Sequence, residues 1–184
     1  MIRNIDTVII GGGPAGLAAA CACYDAGVRD VYILERDENL GGILQQCIHN
    51  GFGLQWFKEE LTGPEYAQRF IDEVEKRSIP YMVNTMVLEI TPDKKVYCVN
   101  PDEGVCIFQC KSIVLAMGCR GVSRKFENSG DEASRRILGR TCPKACKPGG
   151  RHAGQEVMIL GSGDIGLIMA RQYEMGRRRC QDGM

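Results

Sequence analysis

The segment DTVIIGGGPAGLAAACACYDAG, residues 6–27, constrains this chain more than any other. Its apolar run predicts a strand from about Asp6 to Ile10. A glycine turn follows, then a helix to about Asp25, with Gly27 as its stop. Gly11, Gly13 and Gly16 form G-x-G-x-x-G. The first glycine permits a tight turn, the second removes a side chain where a pyrophosphate must approach the backbone, and the third lets helix and strand pack closely. Pro14 and Ala15 open the helix, whose free N–H groups and positive dipole end suit phosphate. A lone motif of this kind is weak, but its required context is present. A second strand, VYILE, ends in Glu35, nineteen residues after Gly16, where an acid can accept hydrogen bonds from both hydroxyls of an adenosine ribose. Strand, turn, helix, strand and acid in this order predict a Rossmann-like α/β unit that binds a dinucleotide.

A chain of 184 residues suffices for one such domain and part of another, and falls short of two full nucleotide-binding domains. The 23 basic and 23 acidic residues cancel, which points away from nucleic acid and anionic membranes and toward a small-molecule partner. No apolar run reaches the length of a membrane span, since Gly, Pro or charge interrupts each candidate. TVIIGGGPAGLAAACACY has the look of a secretory core segment, yet Asp6, its glycines and Pro14 argue against export, so a cytoplasmic location is expected. Ten cysteines admit an extracellular disulfide framework as one reading. Cys21, Cys23, Cys98, Cys106 and Cys110 fall on apolar helix or strand patterns instead, where a reduced cysteine serves as a small hydrophobe.

LTGPEYAQRFIDEVEKRSIP predicts a capped amphipathic helix. Thr62 and Glu65 fit a capping box, Pro64 suits the first turn, and Tyr66, Ala67, Phe70, Ile71 and Val74 make one apolar face. From Tyr81 to Gln109 the pattern turns to alternating β runs, YMVNTMVLEI, KKVYCVN and VCIFQC, separated by TPD and PDEG turns. A further buried strand, SIVLAMG, is expected from Ser112 to Gly118.

ERDENLGG, with its glycine pair shortly after the acid, resembles the second phosphate-side loop of the FAD domain in the two-dinucleotide flavoprotein reductases. The order βαβ, helix, β-meander and strand is similar to that domain too. The resemblance implies FAD as cofactor, with Arg36 by the adenosine and Gly41 and Gly42 passing the pyrophosphate. It also implies Val87 near adenine, and Ala116, Met117 and Gly118 as the triplet whose backbone passes the flavin nucleotide. LGGILQQCIHNGFGLQWFKEELTGPEYAQRFIDEV resembles more specifically a bacterial family of FAD- and NAD(P)-dependent oxidoreductases associated with glycerol 3-phosphate dehydrogenases. The likeness covers residues 1 to 120 and again about 150 to 171. One departure bears on mechanism: disulfide reductases carry C-x-x-x-x-C beyond the double glycine, whereas this chain has only Cys47 there, with His49 nearby. A dithiol relay is thereby excluded at that place, and a direct flavin route is expected. Cys47 and His49 are candidates for a thiol and a proton carrier beside the flavin, or for plain packing.

VMILGSGDIGLIMAR repeats the opening grammar, with G-x-G-x-x-G at Gly161, Gly163 and Gly166 and with Asp164 and Ile165 inside it. By the resemblance, this turn would hold the pyrophosphate of a nicotinamide nucleotide, NAD(P), that passes hydride to flavin. After Arg171 the expected second strand does not appear. Residues 121–149 are also a misfit, poor in apolar residues and without period. Permitted codons from Asn128 onward, read one base later, spell IPGTRPAGVFSA, and RTCPKACKPGG likewise becomes GLAQKLVNLEG, the connection that the family resemblance leads one to expect. Gln172 onward becomes SMKWEGADVKMV.

The expected division is an FAD-domain front over 1–120, an out-of-frame segment over 121–149, and the start of an NAD(P) domain over 150–184, aberrant after 171. With both nucleotide sites incomplete, the chain as written is expected to be inactive or nearly so. A cysteine-rich metal or redox module built on Cys119, Cys142, Cys146 and Cys180 lacks the paired C-x-x-C spacing of zinc sites, and no metal is expected. A single-cofactor NAD-dependent dehydrogenase is disfavoured by the double glycine and the meander.

Overall fold

The computed structural model describes residues 2–119, 158–159 and 163–181. The chain divides into two units, Met1–Gly118 and Cys119–Met184. In the first, β1 (Ile2–Ile10) leads through the glycine turn into α1 (Pro14–Asp25) and then β2 (Val31–Leu34). A 3₁₀ turn over Gly42–Gln46 and the short strands β3 (Asn50–Phe52) and β4 (Leu61–Thr62) precede α2 (Gly63–Lys76). β5 (Tyr81–Met82), β6 (Met86–Ile90), β7 (Lys95–Asn100) and β8 (Gly104–Leu115) complete a six-stranded sheet of order β5-β2-β1-β8-β7-β6. β5, β2, β1 and β8 run parallel, and β8, β7 and β6 form an antiparallel meander on the same sheet.

Two cores follow from strand alternation. Ile9, Val31 and Ile33 pack with Leu17, Ala20 and Cys21 of α1 and Phe70 and Val74 of α2. Val8, Ile10 and Leu34 belong to a second cluster with the meander residues Val96, Cys98, Cys106, Phe108 and Cys110. Successive side chains of one strand thus serve opposite faces, as the period of two requires. α2 begins as its sequence predicts: Glu65 Oε2 accepts the Thr62 backbone N–H at 2.8 Å and its hydroxyl at 2.7 Å. Its apolar face also carries edge-on contacts among Phe57, Tyr66 and Phe70.

The structure corrects four expectations. β1 starts at Ile2 rather than Asp6, because its early residues pair with Ile107 to Cys110. YMVNTMVLEI is two strands: Tyr81 and Met82 add to the parallel sheet beside β2, and Met86–Ile90 joins the meander. VCIFQC and SIVLAMG are one strand, because β1 pairs with β8 along its whole length while β7 occupies only the first half of its other edge. Lys111, which interrupts the apolar pattern, points outward to Asp6 at 2.6 Å. The far end of this strand is not buried, with Leu115 60% exposed.

In the second unit, α3 (Asp164–Gln181) continues past Arg171. Met158 and Ile159 carry no regular structure. Gly161 and the stretch RTCPKACKPGG lie outside the described residues. No helix among the described residues is long and apolar enough to cross a membrane.

Candidate functional site: two glycine loops and a buried carboxylate

β1, β2 and β8 end side by side, and the first glycine turn, Glu35 and the Ala116–Gly118 triplet lie at or just beyond those ends. The Gly11 N–H donates to Leu34 O at 2.8 Å, and the Ala116 N–H to Ile10 O at 2.8 Å, which ties the turn to both neighbouring strands. Gly11 has φ +109°, and a Cβ there would strike the Ala116 carbonyl. A Cβ at Gly16 would overlap the Gly11 carbonyl oxygen, so helix, turn and strand close on one another only with glycine at both places.

Gly13 differs. A Cβ built on it would have only the Gly42 Cα in range, at 3.9 Å. Packing within the protein therefore does not demand a glycine there, whereas a group approaching the backbone would. Gly13 is also the N-cap of α1, without a capping side chain, and Pro14, Ala15 and Gly16 bring no acid to the first turn. The positive end of the helix is left for an anion.

The second glycine loop folds against the first. Gly41 donates its N–H to Gly12 O at 2.8 Å, and a Cβ at Gly42 would come to 3.0 Å from Gly13 Cα. Glu35, only 5% exposed, follows β2 and accepts the Gly12 N–H at 2.6 Å on Oε2 and the Asp37 N–H at 2.8 Å on Oε1. Each carboxylate oxygen retains acceptor capacity for further donors, the ribose hydroxyls of the sequence reading among them. Gln46 Oε1, in the 3₁₀ turn after Gly41, is buried with no hydrogen-bond partner among the described residues. An orphaned buried acceptor, an uncapped helix start and the open space at Gly13 all fit a phosphate- and hydroxyl-bearing nucleotide.

The remaining candidates are placed as follows. Arg36 is exposed beside the acid. Val87 pairs with Cys98 and packs inward on the second core, while its neighbours Met86 and Leu88 are exposed. Ala116 packs on the first core, Met117 is exposed, and Gly118 (φ +65°) has nothing within reach of a Cβ. In the second unit Gly163 precedes α3, and Asp164, Ile165 and Gly166 form its first turn.

Cys47 follows the 3₁₀ turn. Its thiol donates to the Ile43 carbonyl at 3.4 Å, and burial raises its pKa, so it is protonated at neutral pH. His49 donates from Nδ1 to the Asn50 carbonyl at 2.9 Å and packs on Phe52. No hydrogen bond joins Cys47 to His49 among the described residues. Cys21, Cys98, Cys106 and Cys110 are buried and unpaired by disulfide, as their apolar patterns imply. Among the described residues no group of His, Cys, Asp and Glu could hold a metal ion.

Sequence reasoning passed over Gly12, although it stands in the middle of GGG. It also missed Gly63, whose Cβ would hit the Leu44 and Cys47 carbonyls, and whose N–H donates to Cys47 O at 2.8 Å. These contacts set α2 on the loop after the second glycine pair, and no local pattern signals them.

The chain is 29% identical over 183 residues to the ferredoxin–NADP reductase of Streptococcus pneumoniae (strain Hungary19A-6), covering 95% of this chain and 52% of that protein. It thus spans about half the length of the relatives of that name that it matches. Among solved structures, bacillithiol disulfide reductase from Bacillus cereus superposes with TM-score 0.61 at 20% identity, over 72% of this chain and 45% of that one. Thioredoxin reductase from Streptococcus pyogenes superposes with TM-score 0.53 at 23% identity, over 67% and 38%. At these identities the superpositions carry the Rossmann-like fold. The profile described as pyridine nucleotide-disulphide oxidoreductase matches residues 5–179. With that match spanning nearly all of its length, the chain belongs to the pyridine nucleotide-disulphide oxidoreductase family.

Proposed function

We propose that this chain carries the FAD-holding front of a flavoprotein oxidoreductase that moves electrons between NAD(P)H and an acceptor or partner dehydrogenase. The partner class that the family resemblance implies is a glycerol 3-phosphate dehydrogenase-type protein. The observation that carries the reading is the meeting of two glycine loops beside the buried Glu35 carboxylate. In it Gly13 leaves room for the pyrophosphate at the backbone, Gly11 and Gly16 close strand, turn and helix on one another, Gly41 and Gly42 carry the second loop past the same place, α1 offers its uncapped N–H groups, and Glu35 takes the ribose hydroxyls. FAD, when bound, supplies the capacity to accept a hydride and release electrons. Gly161, Gly163 and Gly166, with Asp164 and Ile165, would hold NAD(P). The ferredoxin–NADP reductase relative supports a nicotinamide nucleotide on that side.

Cys47 has no second cysteine five residues on, so electrons leave flavin without a dithiol at this place. Its raised pKa suits a neutral thiol beside the flavin rather than a thiolate nucleophile. His49 is the proton carrier in this reading. Titration of the purified 184-residue chain with FAD, followed by the visible flavin spectrum and by identification of the released cofactor, tests the reading. Saturable binding of FAD is expected; absence of binding would overturn it.

A further inference from the structure

Thr85 and Asn100, 1% and 5% exposed, are buried polar side chains of the first unit that stand outside the glycine loops. Asn100 closes β7. Its Nδ2 donates to the Val83 carbonyl at 3.0 Å and to the Thr85 hydroxyl at 2.9 Å. Its Oδ1 accepts the N–H groups of Asp102 at 2.9 Å and Glu103 at 3.2 Å. The Thr85 hydroxyl donates to the Val83 carbonyl at 2.8 Å. One amide therefore joins the hairpin turn between β7 and β8 to the connection between β5 and β6.

That connection is itself pinned to the strand end that carries the acid. The Thr85 N–H donates to the Glu35 carbonyl at 2.8 Å, and the Asn84 N–H to the Asp37 carbonyl at 2.9 Å. Asn84 holds a left-handed φ of +51° to do so. Asp37 in turn donates its N–H to Glu35 Oε1, and Gly12 to Oε2. The contacts run from Asn100 through Thr85 and Asn84 to the main chain of Glu35 and Asp37, and from the Asp37 N–H to the Glu35 carboxylate that also holds Gly12 of the first glycine loop. An apolar pair at 85 and 100 would serve packing equally well, but only a satisfied amide and hydroxyl fix direction, because each bond has one geometry.

We propose that Asn100, acting through Thr85, is a positioning residue for the adenosine half of the nucleotide, aiming the Glu35 carboxylate by holding residues 83–86 against residues 35–37. This deepens the FAD reading and rests on it. The test uses the full chain with Thr85→Val, Thr85→Ser and Asn100→Asp. Two quantities are measured: affinity for FAD and for ADP, and the amide proton resonance of Gly12 without nucleotide. The Gly12 resonance reports the 2.6 Å bond to Glu35 directly, and a merely stabilising role would leave it in place.

Thr85→Val, close in shape to the native residue, is expected to shift the Gly12 resonance and to weaken FAD and ADP about tenfold. Thr85→Ser should restore both. Asn100→Asp, which sets a carboxylate against the Val83 carbonyl, should weaken both nucleotides at least as much. If the wild-type chain binds nucleotide and Thr85→Val changes neither affinity nor the Gly12 resonance, the positioning role is overturned alone. If the wild-type chain binds neither FAD nor ADP, the FAD reading falls, and the positioning role with it.

Discussion

The Gly12 N–H donates to Glu35 Oε2 at 2.6 Å, across 23 residues of sequence. A Cβ on Gly12 would meet Leu40 Cδ2 at 2.5 Å and the Glu35 side chain at 3.2 Å, so the middle glycine of GGG is crowded by side chains of the protein itself. Its neighbour Gly13 is not so confined. One short run therefore holds glycines with different physical causes: close packing at Gly11 and Gly12, and an open approach at Gly13.

Substitution at Glu35 tests the bond. Glu35→Gln places an NH2 where one of the carboxylate oxygens accepts a backbone N–H, setting donor against donor. Stability should fall by about 1–3 kcal/mol in urea unfolding, with FAD binding weakened as well. A variant with unchanged midpoint would contradict the assigned hydrogen bonds.

The two kinds of glycine should separate on substitution. Gly16→Ala forces a Cβ into the Gly11 carbonyl, so unfolding measurements should show a loss of about 2 kcal/mol or more. Gly13→Ala meets no atom of another segment closer than 3.9 Å and should cost about 0.5–1 kcal/mol at the helix N-cap. Its effect should appear in FAD affinity instead. Equal losses of stability at both positions would refute the distinction.

Alkaline pH acts on the meander core. Burial pushes the Cys98 thiol up to about 12, from 9.0 in the ordinary state, and Cys110 to about 11. Between these limits the unfolded chain has released protons that the folded chain still holds, so stability is full below pH 9 and declines as pH rises toward 12. Each buried thiol steepens the decline by up to about 1.4 kcal/mol per pH unit. Denaturant unfolding of Cys98→Ala should show a shallower alkaline slope than wild type, whatever its stability at pH 7.

Cys47 should be a slow nucleophile. Its thiol is half-buried, bonded to the Ile43 carbonyl and raised in pKa by burial, so alkylation at pH 7 followed by peptide mass spectrometry should label it more slowly than the exposed Cys119. Labelling of Cys47 first would speak for a thiolate.

The coding DNA across codons 115–184 is the check on residues 121–149 and 172–184. A frame error near Gly121, restored near Gly149, and another near Arg171 are expected. A verified reading frame encoding the chain as written would remove that explanation.

Much of the site was legible because its signals are local. The strand-turn-helix order, the glycine spacing, the acid at the end of VYILE and the Thr62–Glu65 cap each depend on residues within about one or two turns or strands of one another, where periods of 3.6 and 2 and the turn preferences of glycine operate. The helix from Pro14 to Asp25 fell where its sequence placed it for that reason.

Other features waited on tertiary structure. Tyr81 and Met82 read as the opening of a meander strand, but the free edge of β2 took them. β8 looked like two strands, because the apolar alternation breaks at Lys111, yet backbone pairing with β1 continues regardless of side chain. Gly12, Gly63, Gln46 and Asn100 gained their roles from atoms brought together across the chain. By itself the sequence determined the opening strand-turn-helix, the cap of the second long helix and the glycine spacing, since those follow from near neighbours. Only the folded chain decided which edges pair, which glycines are crowded and what aims Glu35, since these depend on contacts between distant residues that no local pattern encodes.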